Sequence, residues 1–353
     1  MNAGGLVDAS ARGSSATRDI AITTTWVSTV GDRAINEARG QFATRRVDLN
    51  TPDSQGPGIL IPGIVEFGRP SAGNGVHDQR YIEAGDLVRW TAGRHFFSVG
   101  AEVTDIRITG STVDGTGGTY LFRSLDTFAA GQPENFRQVF ANAGVRMAAT
   151  RFGAFAQDRW TPQSAVTIDL GARFDGESMP SSLGIRSRVI SPRVGIAWTP
   201  RPNWVIRGGA GVFADRLVLA AFERGLLVNG RQGFEQIVEG TAAAAVLREH
   251  GGRLDAALPN VASSIYTARQ GEWRPRSRQL SAGIERGLTT NLTASVNYLF
   301  VQGRDLPRTV NVNLAPPTAQ FGRSIFGSAR LNSAYSDIFE LHRPRHRCIT
   351  ASR

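Results

Sequence analysis

The chain has 353 residues, a formal net charge of +10, 40 glycines and one cysteine, and all 40 of its basic side chains are arginine. That length holds one large β domain or two smaller ones. A single cysteine, Cys348, excludes an internal disulfide, and no apolar run approaches the roughly 18 residues of a transmembrane helix. The arginines are spread along the chain rather than gathered into the clustered basic face of a nucleic-acid binder, so no nucleic-acid partner is expected. The first residues, MNAGGLVDASARGSS, lack the basic and apolar regions of an export signal.

In chain order, residues 1–16 are small and polar and read as a disordered or severed leader. A Thr-rich, β-branched strand follows over 20–30, with Ile20, Ile22 and Trp26 on one face, then a turn at Gly31-Asp32-Arg33 and a second strand over 35–47. A Gly/Pro-rich connection occupies 48–78, with the runs TPDSQGPG and RPSAGNG. A third strand covers 79–90, and Ala92-Gly93-Arg94 turns the chain into a fourth, with Phe97, Val99, Ala101 and Val103 on one face. A long loop is expected over 109–150.

The clearest alternation runs from Val166 to Phe174: Val166, Ile168, Leu170, Ala172 and Phe174 point one way, and Thr167, Asp169, Gly171 and Arg173 the other. Period two marks a strand with one apolar and one polar face, where a helix would scatter these residues. Val194, Ile196 and Trp198, then Trp204, Ile206, Ala210 and Val212, repeat it, and the central block supplies strands five to eight. Prolines in the turns 161–164 and 199–203 end one strand and start the next. The longest insertion spans 215–275, with a helical stretch over 241–258. Leu280, Ala282 and Ile284 mark strand nine; Leu292, Ala294, Val296, Tyr298 and Phe300 mark strand ten.

Short turns follow strands one, three, five, seven and nine, and long connections follow the even ones, so every short turn lies at one end of the sheet. Outer-membrane barrels show this asymmetry, with short periplasmic turns and long extracellular loops. A soluble sandwich also alternates, with its apolar residues inward. Two features favour the membrane. Trp90, Trp160, Trp198 and Trp204 sit near strand ends, as in an interfacial girdle. The polar faces mix glycine with charge, as at Asp169, Gly171, Arg173, Arg207, Gly209 and Gly211, which suits a wet lumen. The expected fold is all-β: part of an antiparallel up-and-down transmembrane β-barrel over 17–310, with a loop and a tail without strand character over 311–353.

Asp158 and Arg173 are candidates for a lumenal pair, and Asp169, Arg193 and Arg207 for further lumen charges; cross-strand pairing that holds the barrel in shape is expected ahead of ligand contact. His342, His346 and Cys348 form an H-x3-H-x-C string of metal-ligand types, read here as an accident of an Arg-rich tail, so no metal or cofactor is assigned. Gly208–Gly211 lies within a strand and lacks the spacing of a dinucleotide fingerprint. No nucleophile elbow, H-E-x-x-H or P-loop is present, and no enzyme is expected.

Five phrases, in order, carry a resemblance: GRHFFSVGAEV (93–103), FGAFAQDRWTPQSAVTIDLGARFD (152–175), SPRVGIAWTP (191–200), NWVIRGGAGVFADR (203–216) and GRDLPRTVNVN (303–313). The series resembles the barrel of TonB-dependent outer-membrane receptors of the Oar-like branch, over about residues 20–335. The most specific block is Gln157-Asp158-Arg159-Trp160 through Arg173, and Phe174 stands where the family usually has Tyr. The resemblance implies uptake of a scarce solute across the bacterial outer membrane, energised by the TonB complex through a plug domain and TonB box. Neither is expected in these residues, nor is the aromatic C-terminal strand, and ten strands compare with about 22 in such transporters. The chain therefore reads as the middle of a receptor barrel, with the outer-membrane bilayer and an unknown small solute as partners. A plugless surface-binding barrel or adhesin, or a non-functional gene fragment, is the alternative reading.

Overall fold

The computed structural model describes residues 6–51, 57–69, 75–111, 114–141, 144–320, 323–342 and 349–352. Ten long strands form one sheet in chain order: β1 (Ser14–Val30), β2 (Ala34–Asn50), β3 (Gly75–Ala92), β4 (His95–Gly110), β5 (Val145–Gln163), β6 (Val166–Ser178), β7 (Ile185–Trp198), β8 (Trp204–Ala214), β9 (Arg276–Thr289) and β10 (Leu292–Arg304). Each pairs antiparallel with the next. Positive φ at Gly31 and Gly93 closes the first two short turns, a conformation glycine adopts without steric cost.

Burial decides between sandwich and barrel. The alternating apolar set is exposed: Ile22, Trp26, Phe42, Ile82, Val99, Leu170, Val194, Ile196, Leu280 and Val296 all face out of the sheet. A sandwich would bury them against a second sheet; an outer-membrane barrel turns them to lipid. Trp90, Trp160, Trp198 and Trp204 share that outer face at the end of the short turns, where Trp90 stacks on Phe97 at 5.0 Å and the Arg286 guanidinium lies 4.8 Å from the Trp204 ring centre.

The strands run 11 to 19 residues, longer than the roughly 9–11 needed to cross a bilayer. Above Val103, Phe152 and Ile190 the alternation keeps its period but reverses its meaning. Asp105, Arg107, Arg146, Arg186 and Arg188 now take the outward positions, while Ile106, Met147, Ala149, Ile185 and Val189 point inward and are buried. This switch marks where the wall leaves the hydrocarbon layer.

What the inward apolar residues meet is the main departure from expectation. The long connections are folded. Segments from several of them form a second sheet of eight short strands, in the order Arg308–Asn311, Tyr335–His342, Ser263–Ala268, Gly233–Glu239, Asn135–Ala141, Thr119–Leu121, Gly58–Ile61 and Val65–Gly68. Helices α1 (Leu125–Ala129), α2 (Leu219–Leu227) and α3 (Gly240–His250) complete this cap. One core joins cap to wall, with Leu217, Phe222, Leu226 and Trp273 against Ile106, Met147, Ala149 and Ile185. A second lies within the cap, around Tyr120, Phe122, Phe136, Val238 and Val246.

Three boundaries are corrected. Residues 14–16 are not leader: Ser14, Ser15 and Ala16 pair with Asn50, Leu49 and Asp48, and the Asp8 carboxylate caps the turn at Ser10. The segment 48–78 holds the hairpin Gly58–Ile61 and Val65–Gly68, although 52–56 and 70–74, the centres of its two Gly/Pro runs, lie outside the described residues. The region 311–353 is not strandless, because Tyr335–His342 pairs in the cap and Ile349–Ser352 pairs with Phe300–Gly303 on β10.

Candidate lumenal site

The inner face of the wall is a lattice of charges set by strand register. Arg159 meets its direct cross-strand neighbour Asp169 at 2.8 Å. Arg207 meets Glu285 at 3.5 Å, and Arg89 meets Glu37 at 3.4 Å. Arg173 holds two carboxylates, Asp175 at 2.7 Å and Glu102 at 2.6 Å.

Above this lattice, at the foot of the cap, lies a cavity of about 370 Å³ whose lining includes Glu102, Arg151, Arg173, Glu177, Arg193 and Phe213. Arg151 and Glu177 are opposite each other in β5 and β6 and pair at 2.7 Å, largely buried. The pair also grips the chain where the long insertion leaves the wall: Leu217 N–H donates to Glu177 Oε2 at 2.9 Å, and Arg151 Nη2 donates to the Leu217 carbonyl at 3.2 Å. A buried ion pair repays its desolvation only if its remaining hydrogen-bonding capacity is met, and here the backbone N–H and C=O of Leu217 meet part of it, one on each side. Arg193 differs: its guanidinium sits 4.7 Å from the Phe213 ring centre and makes no ion pair among the described residues. The cavity thus offers, in Arg193 and Phe213, a guanidinium without a carboxylate partner backed by an aromatic face, beside the paired charges Arg151–Glu177 and Arg173–Glu102 and alongside Asp215 and Arg216, which also line it.

The candidate pair Asp158–Arg173 is not formed. Asp158 lies opposite Leu170 and Phe97, on the outer face, while Arg173 points into the lumen. Asp158 Oδ2 instead meets His95 Nδ1 at 2.7 Å. The His95 ring is stacked between Phe97, at 5.5 Å, and Trp160, at 5.8 Å. The physical reason is parity: Asp158 falls in step with Phe152, Ala154, Ala156 and Trp160. Asp169, Arg193 and Arg207 do face the lumen. Of the Gly208–Gly211 run, Gly209 and Gly211 face inward beside Gly195 and Arg193, all within β8's pairing. His342 ends a cap strand beside Glu340 and Arg269, whereas His346 and Cys348 lie outside the described residues. The sequence reading missed Glu102, Arg151 and Glu177, although each stands at an inward position of its strand.

Comparison with known proteins agrees with this geometry. A family model described as outer membrane beta barrel domain matches residues 4–188 and 185–342. No curated protein matches the chain by sequence. Among solved structures, the outer membrane transporter YddB from Escherichia coli is 13% identical with a TM-score of 0.59, covering 93% of this chain and 37% of its own. The siderophore receptor PirA from Acinetobacter baumannii is 11% identical with a TM-score of 0.54, covering 96% and 41%. A variant of the ferric enterobactin receptor PfeA from Pseudomonas aeruginosa is 12% identical with a TM-score of 0.56, covering 93% and 39%. The chain therefore spans about two fifths of the length of the receptors whose barrel fold it shares. Together the exposed apolar wall, the charged lumen and the match along most of its length show that this chain belongs to the outer membrane beta barrel domain family, with its place in the outer membrane.

Proposed function

We propose that the chain supplies part of the barrel wall and extracellular cap of a TonB-dependent receptor, of the Oar-like kind, that takes up a small solute across the outer membrane. One observation carries this reading: the cavity of about 370 Å³ at the foot of the cap, where Arg193, backed by the Phe213 ring and without a carboxylate partner, stands beside the paired Arg151–Glu177 and Arg173–Glu102. The Phe213 ring orients this guanidinium while leaving its N–H donors free of any carboxylate, which suits contact with an anionic or polar solute. TonB engagement and a plug belong to the parent receptor in this reading, and the residues here contribute neither catalysis nor a cofactor site.

The test is uptake by outer-membrane-bearing cells that express the protein, scored with labelled iron chelates, oligosaccharides and peptides. Accumulation that stops with a protonophore and falls on Arg193→Ala supports energised transport through this lumen. Surface binding without protonophore-sensitive accumulation supports the second reading, a surface-binding barrel, which the folded eight-stranded cap favours because it presents a rigid surface to the medium.

A further inference from the structure

The arginines of the wall follow two rules. Those facing the lumen are matched with carboxylates, as in Arg159–Asp169, Arg207–Glu285, Arg151–Glu177 and Arg173 with Glu102. Those facing outward at the long-connection end are not. On five strands the last outward apolar residue is followed, within two to six positions, by arginine: Ile82 by Arg80 on β3, Val103 by Arg107 on β4, Phe152 by Arg146 on β5, Ile190 by Arg188 and Arg186 on β7, and Leu280 by Arg278 on β9. Taking the edge on each strand separately allows for strand tilt, so this belt tracks the rim of the hydrocarbon layer rather than a rung of the sheet. Of the six, only Arg107 makes an ion pair among the described residues, with Asp105 at 2.9 Å. The neighbouring carboxylates are already taken. Asp78, opposite Thr109, is held by Arg46 at 3.7 Å, and Glu272, opposite Arg186, by Arg274 at 2.9 Å.

Register makes this arrangement costly for the wall alone. Arg80 and Arg107 are direct cross-strand partners, and Arg146 is diagonal to Arg107, whose own partner is Ala148. Like charges directly opposite one another destabilise a sheet. Between Arg146 and the two arginines of β7, the outward positions are Ala148, Thr150, Gly176 and Ser178. These small side chains form a shelf about 9–10 Å across, two strand spacings. We infer that the belt binds phosphate-bearing headgroups of the outer-leaflet lipid, with Arg80 and Arg107 sharing one phosphate, and Arg186 and Arg188 another beside the Gly176–Ser178 shelf. Guanidinium and phosphate pair bidentately, and an anion between Arg80 and Arg107 turns their repulsion into two attractions. Headgroups are what the wall meets where its apolar band ends, and anionic ones draw clustered arginine. Lipid held at this rim fixes the height at which the cap stands above the bilayer. The inference does not depend on what crosses the lumen.

The test is binding of lipid A, a diphosphorylated glycolipid, to the full chain folded in maltoside micelles, counted by native mass spectrometry. Wild type is expected to bind it about tenfold or more tighter than the same lipid stripped of its phosphates, and excess inorganic phosphate does not displace it. Arg80→Gln with Arg107→Gln, and separately Arg186→Gln with Arg188→Gln, each lowers the affinity by about tenfold. Arg33→Gln with Arg201→Gln, which removes as much charge from the short-turn end, leaves it unchanged. Without lipid, Arg80→Gln is at least as thermally stable as wild type, because it relieves a like-charge contact, whereas an arginine needed only for the wall's own structure would give the reverse. Equal affinity for both forms of the lipid, displacement by inorganic phosphate, an equal loss in the short-turn control, or destabilisation of the lipid-free protein by Arg80→Gln overturns the inference.

Discussion

Arg173 on β6 reaches Glu102 on β4, two strands away, by lying across the bare backbone of Gly153 on β5. A Cβ at Gly153 would stand 2.1 Å from Arg173 Nη2, well inside van der Waals contact. The glycine is thus the groove through which one guanidinium joins three strands, since Arg173 also holds Asp175 on its own strand. Gly153→Val is expected to expel the guanidinium, leave Glu102 unpaired and cost about 1–3 kcal/mol, read as a lower urea midpoint for the protein unfolded from lipid vesicles. Arg173→Ala falls in the same range, and the double variant loses less than the sum because both changes break one arrangement.

On the opposite face, Asp158 and His95 close the short-turn end of β4 and β5 at 2.7 Å, with the imidazole stacked between Phe97 and Trp160. Asp158→Ala removes the acceptor that orients the ring and is expected to cost about 1–3 kcal/mol, with a shift of tryptophan emission from the girdle. Asp158→Asn keeps an acceptor and recovers most of that loss. Uptake or binding through the lumen is unchanged in either variant that folds, because the pair faces away from it.

At Asp158 residue type and strand parity point to opposite faces. Period-two counting places it with Ala154, Ala156 and Trp160, hence outside, whereas its charge places it inside. The structure follows parity, with Asp158 opposite Leu170 and Phe97 on the outer face. The ten strands and their faces were legible because each alternates locally. The cap was not. Its strand Gly58–Ile61 runs parallel to Thr119–Leu121, and Tyr335–His342 runs parallel to Ser263–Ala268. Such pairings join three- to eight-residue segments 61 and 72–73 positions apart, and no local pattern specifies which edge a short apolar run will find. Arg151 and Glu177 were hidden for a related reason. Their value lies in the backbone N–H and C=O of Leu217 that they grip, a contact made only once the insertion folds back.

Two buried glutamines hold the cap insertion in the same manner. Gln138 donates to the Leu254 carbonyl at 2.7 Å and accepts from its N–H at 2.8 Å. Gln236 accepts from Leu258 N–H at 2.8 Å and donates to the carbonyls of Leu258 and Val261 at 2.9 and 2.8 Å. Each side chain stands in for a backbone strand partner to a segment that has none. Gln138→Ala strips both groups of Leu254 in a buried setting, a loss of about 1–3 kcal/mol. The effect is local, so limited proteolysis is expected to cut faster within 250–262 while the ten-stranded wall stays intact. Uniform sensitivity over the whole chain would show that cap and wall unfold together.

The cap core also carries a titration that separates it from the wall. Tyr120 is fully buried against Phe136, at 4.4 Å between ring centres. Burial pushes its hydroxyl from 10.0 up to about 12, since the phenolate cannot be solvated there. The folded state therefore keeps its proton where the unfolded chain has lost it. Stability from this group is fully present below about pH 10 and is lost as pH rises toward 12. Burial also raises the phenol of Tyr266, helped by the neighbouring Glu235 carboxylate, so the two act in the same direction. Raising pH past 10 is expected to open the cap before the wall. In absorbance near 295 nm, which follows phenolate, a late step coincides with faster proteolysis of 250–262. Tyr120→Phe removes that part of the alkaline loss, because phenylalanine fills the same core without a titrating group. If the late step survives in Tyr120→Phe with unchanged amplitude, another tyrosine sets the alkaline limit and the assignment to this core fails.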